Sequence, residues 1–278
     1  MAFDIKTFTT RSLTAFVFVA VMMAGLLGPM AVFIALFAVV AWIGLHEYVR
    51  LLHNIVHHTF TSKEIGGYVL LGMIAFVMTC LAPMQAPNTH WPYNTFGVFF
   101  YVLGIFIGGI MLFYRMVKSP YKTYLLCGIG YVGVALGMYV QMRIAHPFLP
   151  LALIALIWTN DTMAYLSGSF IGKTPLMPTV SPKKTIEGTL GGIVFTVFLA
   201  WVGSRYMTDF SPAYWMALAF IASVIGTAGD LIESKLKRLA GVKDSGTLMP
   251  GHGGVLDRFD SLLLAAPVAC IMELLWPR

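Results

Sequence analysis

Residues 12–45 read SLTAFVFVAVMMAGLLGPMAVFIALFAVVAWIGL, 34 positions without one Asp, Glu, Lys or Arg. An unbroken helix of that length would run about 50 Å, against about 30 Å for the hydrocarbon core of a bilayer. Gly28-Pro29 at the centre therefore marks a turn. The stretch is read as two membrane spans joined by a tight hairpin.

The rest of the chain has the same texture. Of 278 residues, 58% are hydrophobic and 11% charged, with a mean hydropathy of +0.81, which excludes an ordinary soluble domain. The apolar stretches predict nine spans, at residues 12–27, 30–45, 66–81, 95–114, 124–140, 149–172, 188–203, 213–233 and 257–276. The expected fold class is an all-α, polytopic integral membrane protein. Five spans lie in residues 1–150 and four, carrying the chemistry, in residues 151–278, with polar loops at 173–187 and 234–257 inside one integrated membrane domain. Lys6 and Arg11 ahead of an apolar run imitate a signal peptide. Apolar sequence continues far past any plausible cleavage site, so an uncleaved first span is expected. Cys80, Cys127 and Cys270 stand singly in apolar stretches and are read as buried fillers.

Lysine and arginine accumulate in short cytoplasmic loops. With the N-terminus inside, 15 of the 18 basic residues fall on the cytoplasmic side, leaving only Arg143, Arg205 and Arg278 opposite. A net charge of +6 confined to such loops points to anionic lipid or a phosphorylated substrate, not nucleic acid. Four GxxxG pairs, Gly104/Gly108, Gly133/Gly137, Gly168/Gly172 and Gly188/Gly192, allow close helix approach. They are read first as internal packing, with a homodimer interface as the alternative. His46, His53, His57 and His58 are read as part of an interfacial helix, with a metal site on a His53/His57 face as the lesser reading.

Carboxylates inside spans cost about 2.5 to 3.5 kcal/mol on insertion scales, so each demands a reason. Asp161 lies in the middle of the sixth span, with Asn160 beside it and Tyr165 one turn on; Asp230 lies near the inner end of the eighth. Between Ser234 and Asp260 the chain reads SKLKRLAGVKDSGTLMPGHGGVLDRFD. Lys235, Lys237, Arg238 and Lys243 can hold an anion, and Gly251 to Gly254 can bring backbone N–H groups against phosphate oxygens. Asp257 and Asp260, three apart at the start of the last span, can carry a divalent metal, or can cap that helix. His252 is open between a phosphate donor, a base-edge contact and a turn residue. In SPKKTIEG, residues 181–188, Ser181 is expected to cap a short helix with Pro182 in its first turn, aiming Lys183 and Lys184 at one anion; a headgroup anchor is the alternative. Few carboxylates with oxygen-only ligands suit magnesium shared with substrate phosphates. This is the apparatus of phosphoryl or nucleotidyl transfer.

These residues resemble the C-terminal signature of the bacterial phosphatidate cytidylyltransferases, also called CDP-diglyceride synthetases. The matching elements are Ser234, Lys237-Arg238, Lys243-Asp244, His252-Gly253-Gly254 and Asp257-Arg258-Phe259-Asp260. Upstream, in the same order, come Trp158 with Asp161, Ala164 and Tyr165, then Ser181-Pro182 with Lys184-Thr185, then Gly229-Asp230-Leu231 with Glu233. The resemblance covers roughly residues 158–262. It implies transfer of CMP from CTP to phosphatidic acid at the cytoplasmic face of a bacterial inner membrane, giving CDP-diacylglycerol and pyrophosphate. It also implies magnesium, with room for a second cation.

As catalytic residues the resemblance implies Asp230, Asp257, Lys237, Arg238, Lys243 and Asp244. For substrate binding it implies Ser181, Lys183, Lys184, Thr185, Glu187, Ser234, His252, Gly253, Gly254, Arg258 and Tyr165. For the metal it implies Asp230 and Asp257, with Asp260 and Asp161 as secondary candidates. The competing class is an ion-coupled transporter, which shares intramembrane carboxylates and broken helices. Its sites lie near the midplane, whereas here only Asp161 is deep.

Overall fold

Gly28 and Pro29 do end one helix and begin another. In the computed structural model, which describes residues 5–82, 121–248 and 253–276, α1 (Ile5–Leu27) closes with the Gly28 N–H on the Ala24 carbonyl at 2.9 Å, and α2 (Met30–Val56) follows. Gly25 packs directly against the Leu36 side chain. Eleven residues of straight helix would separate these by about 16 Å, so the chain folds back as a hairpin.

α2 runs on to Val56, and His57 ends it in the left-handed conformation, with φ of 49°. This corrects the separate interfacial helix: His46 and His53 belong to α2, while His57 lies beyond its end and shares no helical face with His53. After this turn, Thr61 and Glu64 form a reciprocal cap for α3 (Ser62–Leu81). The segment 95–114, with Gly104/Gly108, lies outside the described residues.

The next span is interrupted. α4 (Lys122–Gly128) passes through a π-helical turn, Ile129–Val134, into α5 (Ala135–Ala145). The turn sits where Gly133, lacking a side chain, lets the Gly72 carbonyl of α3 approach. Gln141 donates to the carbonyls of Thr79 and Cys80 at the end of α3 and of Ala82 just beyond it, at 2.6 to 2.9 Å, satisfying acceptors that a helix end leaves open.

α6 (Leu149–Ile171) leads into a two-stranded antiparallel hairpin, β1 (Pro175–Met177) with β2 (Ser181–Thr185), and then α7 (Ile186–Gly203), α8 (Pro212–Leu239) and α9 (Leu256–Leu275). The fold is that of an all-α membrane protein with this short hairpin among its described residues. The hairpin corrects one expectation, since Ser181 begins a strand where a capped short helix was expected. Pro182 fits an edge strand because its missing N–H is not needed there, and the cap of α7 is Thr185, whose hydroxyl accepts the Gly188 N–H at 3.1 Å. α8 also extends to Leu239, past the expected end at 233.

Among the described residues six helical stretches are long and apolar enough to cross a membrane. The apolar part of α1, Ser12–Leu27, is shorter, and α9 opens on charged residues. A count of nine is therefore not established.

The chain forms two compact units, residues 1–141 with 239–259, and residues 142–238 with 260–278. The first has an aromatic core in which Phe37 meets Phe33 at 4.7 Å and Tyr139 at 4.8 Å between ring centroids. In the second, Tyr214 stacks on Phe210 at 4.1 Å and donates to the buried Glu273 at 3.0 Å. Close packing of α6 on α7 rests on glycine: a β-carbon on Gly188 would lie 3.0 Å from Gly168 Cα, and one on Gly192 2.9 Å from Ala164 Cβ. Gly168, Gly188 and Gly192 thus serve internal packing, as do Gly133 and Gly137 against α3.

Candidate functional site

In the second unit a cavity of about 560 Å³ opens between α6, β2, α7 and α8. Asp161 and Tyr165 line it from α6, Ser181 with Lys183, Lys184 and Thr185 from β2, and Asp230 from α8. Seven of the residues given a role from the sequence thus share one cavity. Four others that reasoning from sequence did not assign, Asn160, Ser169, Thr189 and Thr227, also line it. Asn160 is buried and its Nδ2 faces the Thr227 hydroxyl at 3.4 Å. Thr227 and Asp230 stand three apart on α8, a helical spacing that could have flagged the pair.

The cavity wall is built by local hydrogen bonds. Both oxygens of Glu187, in the first turn of α7, accept the Lys173 and Thr174 amides at 3.0 to 3.2 Å, and the Ile186 N–H returns to the Thr174 carbonyl. Glu187 thus holds the base of the hairpin. Arg238 Nε donates to the Val180 carbonyl at 3.3 Å, tying the hairpin turn to α8.

Lys184 makes an ion pair with Asp230 Oδ2, and Ser234, one turn further along α8, donates to Oδ1 at 3.2 Å. Burial pulls the Lys184 ammonium below its ordinary pKa; Asp161 and Asp260 oppose that shift and Lys237 adds to it. Lys237 pairs with Glu233 at 2.5 Å, both buried. α9 approaches α8 at Gly229, where a β-carbon would meet the Asp260 carbonyl at 2.5 Å. Asp260 therefore belongs to the same electrostatic group.

Carboxylates and ammonium groups thus alternate around the cavity, Asp161, Asp230 and Asp260 with Lys183 and Lys184, and the Glu233–Lys237 pair beside them. Among the described residues no three His, Cys, Asp or Glu side chains are gathered tightly enough to hold a metal. Magnesium does not require it, being held commonly by one or two carboxylates with the rest from water and phosphates.

The first unit holds the other half of the sequence motif. Asp257 Oδ2 accepts the Ser245 N–H at 2.8 Å and the Gly254 N–H at 2.7 Å, and the Ser245 hydroxyl lies within donating distance at 2.9 Å. Gly253 has φ of +85°, which glycine adopts without strain, and it has Asp257 and Asp244 as neighbours. Lys243, Asp244 and Arg258 are exposed. His252 lies outside the described residues.

Sequence reasoning missed Glu47. This carboxylate of α2 is only 6% exposed and accepts the N–H groups of Val255 at 2.9 Å and Leu256 at 2.8 Å, with the Ser245 hydroxyl at 2.9 Å. Its signal was available: a lone acid two residues past the uncharged stretch 12–45, subject to the same insertion cost that singled out Asp161.

A sequence model described as the cytidylyltransferase family matches residues 9–276. Among curated proteins, the chain is 40% identical over 152 residues to a phosphatidate cytidylyltransferase of Staphylococcus aureus (strain COL). It is 40% identical to the protein of that name in Staphylococcus saprophyticus and 38% to that in Staphylococcus epidermidis. In each case the match covers 54% of this chain and 58% of the relative's length.

Proposed function

The chain belongs to the cytidylyltransferase family, and from that premise we propose that it transfers CMP from CTP to phosphatidic acid, releasing pyrophosphate and leaving CDP-diacylglycerol in the membrane. The observation that carries this reading is the cavity of the second unit, which Lys183, Lys184, Asp161 and Asp230 line together. The names of the staphylococcal relatives support the choice of substrates. The clustering of basic residues in the loops supports a cytoplasmic site in a bacterial inner membrane.

A phosphate oxygen of phosphatidic acid attacks the α-phosphorus of CTP, a new P–O bond forms, and the bond to the β-phosphate oxygen breaks. The nucleophile is already an anion, so neither a serine nor a cysteine nucleophile is needed. The difficulty is repulsion between two polyanions. Lys183 and Lys184 reduce it from β2, with Lys237 and Arg238 of α8 as further candidates in that unit. Lys243 is the corresponding cation of the first unit, with Gly253 close by in sequence; the Gly254 N–H is already donated to Asp257. In the second unit Asp230 would hold magnesium, with Asp161 and Asp260 as secondary candidates; Asp257 is the candidate in the first. Bound there, the ion would neutralise oxygens of the α-phosphate and of the leaving pyrophosphate.

The test is direct. Purified protein in detergent or nanodiscs, given labelled CTP, magnesium and phosphatidic acid, is expected to form a labelled CDP-lipid, and chelation with EDTA to stop it until magnesium is restored. No product across several lipids would favour the transporter reading; turnover that survives EDTA would remove the metal.

A further inference from the structure

We infer that Glu47 is a positioning residue for the Gly253–Asp257 turn, holding the Asp257 carboxylate in its working orientation from a helix some two hundred residues away in sequence. This rests on the proposed reaction and adds to it a residue from the N-terminal half of the chain, which the family motif does not include.

The geometry is that of a double clasp. The start of α9 leaves backbone N–H groups without helical partners. Glu47 takes two of them, Val255 and Leu256, while Asp257 takes the Gly254 N–H just before and the Ser245 N–H from the preceding loop. The Ser245 hydroxyl lies 2.9 Å from an oxygen of each carboxylate. It has one hydrogen, so it can donate fully to only one at a time, and the two acids are coupled through it. Space for the arrangement comes from glycine: a β-carbon on Gly246 or Gly254 would collide with the Glu47 carboxylate.

Glu47 is buried on α2, a helix in which Leu45, Tyr48, Val49 and Leu51 are buried as well, so the clasp is anchored on a packed element. Hydrogen-bond partners of this kind, one step removed from a metal-binding or reacting group, typically affect activity or metal affinity by about 10- to 100-fold. Helix capping alone would not link Glu47 to Asp257 through the Ser245 hydroxyl.

Glu47→Gln keeps the side-chain volume and one acceptor oxygen. It is expected to lower kcat for CDP-lipid formation about tenfold or more with KM for CTP within about threefold, and to raise the magnesium concentration for half-maximal rate. Amide hydrogen exchange at Val255 and Leu256 should quicken in the same protein without CTP, lipid or metal. Ser245→Ala, which removes only the shared hydroxyl, should move the same quantities less. Faster exchange with unchanged kcat and magnesium dependence would reduce Glu47 to a structural cap and overturn the proposal; unchanged exchange would overturn the clasp itself. If the unsubstituted protein makes no CDP-lipid, the proposed reaction fails, and the exchange measurement still decides the clasp.

Discussion

Lys184 is the residue at which a contact of the fold and the proposed reaction would meet. Its ammonium is half-buried against Asp230 and lies within the field of Asp161 and Asp260. Reading the sequence left it evenly placed between phosphate contact and headgroup anchor; lining a cavity opposite Asp161 favours the former. Lys184→Ala is expected to raise KM for CTP or phosphatidic acid about 10- to 100-fold, the equivalent of one charge-assisted hydrogen bond. Steady-state kinetics with each substrate varied in turn would check it, and unchanged KM values would return the lysine to the lipid surface. Asp257 invites the complementary experiment. An Asn at that position can still accept from Ser245 and Gly254 through its amide oxygen, so Asp257→Asn should keep the turn and lose the charge. Turnover dependent on magnesium should fall more than a hundredfold, while the thermal midpoint in detergent stays within a few degrees. A large drop in that midpoint would mean that the carboxylate serves the fold.

At the level of elements the decisive contacts are those without side chains. Gly188 faces the Ala164 carbonyl, the Thr185 hydroxyl and Gly168 Cα, all within 2.8 to 3.0 Å of where a β-carbon would stand. Gly188→Ala must push α7 from α6, at a cost of about 1 to 3 kcal/mol, and the same movement opens the cavity wall at Thr185. The measurement is the unfolding midpoint in a detergent titration. Gly66→Ala, on α3 with nothing within 4 Å, serves as the control that should not fall. Element boundaries also mark where sequence patterns stop being informative. Ser181-Pro182-Lys183-Lys184 reads equally well as a helix start or an edge strand, since a serine before a proline suits both. The pairing of β2 with Pro175–Met177 settled it, and a pairing partner is not visible in a single segment's pattern. The π-helical turn at Ile129–Val134 is similar: Gly133 within it lies against the Gly72 carbonyl, a neighbour that the segment's own pattern does not reveal.

At the scale of the whole molecule, the distribution of lysine and arginine predicts sidedness. In a chain with Cys80, Cys127 and Cys270 replaced by serine, an impermeant thiol reagent should reach Tyr206→Cys in intact cells and Lys173→Cys only after permeabilisation. The reverse result would invert the topology and carry the proposed site to the outer face. The sequence by itself determined what depends on composition and local period: a helical membrane protein, a break at Gly28-Pro29, and carboxylates too costly to stand in spans without purpose. Spacing along the chain could also group Asp257 with Gly253 and Asp230 with Ser234, because those pairs lie within a turn of each other. Only the tertiary structure decided that β2 brings Lys184 to Asp230, that glycine lets α7 lie on α6, and that Glu47 closes on the start of α9. Each of these depends on atoms far apart in sequence meeting at hydrogen-bond or van der Waals distance, where burial and the pairing of charges, not local preference, set the energy.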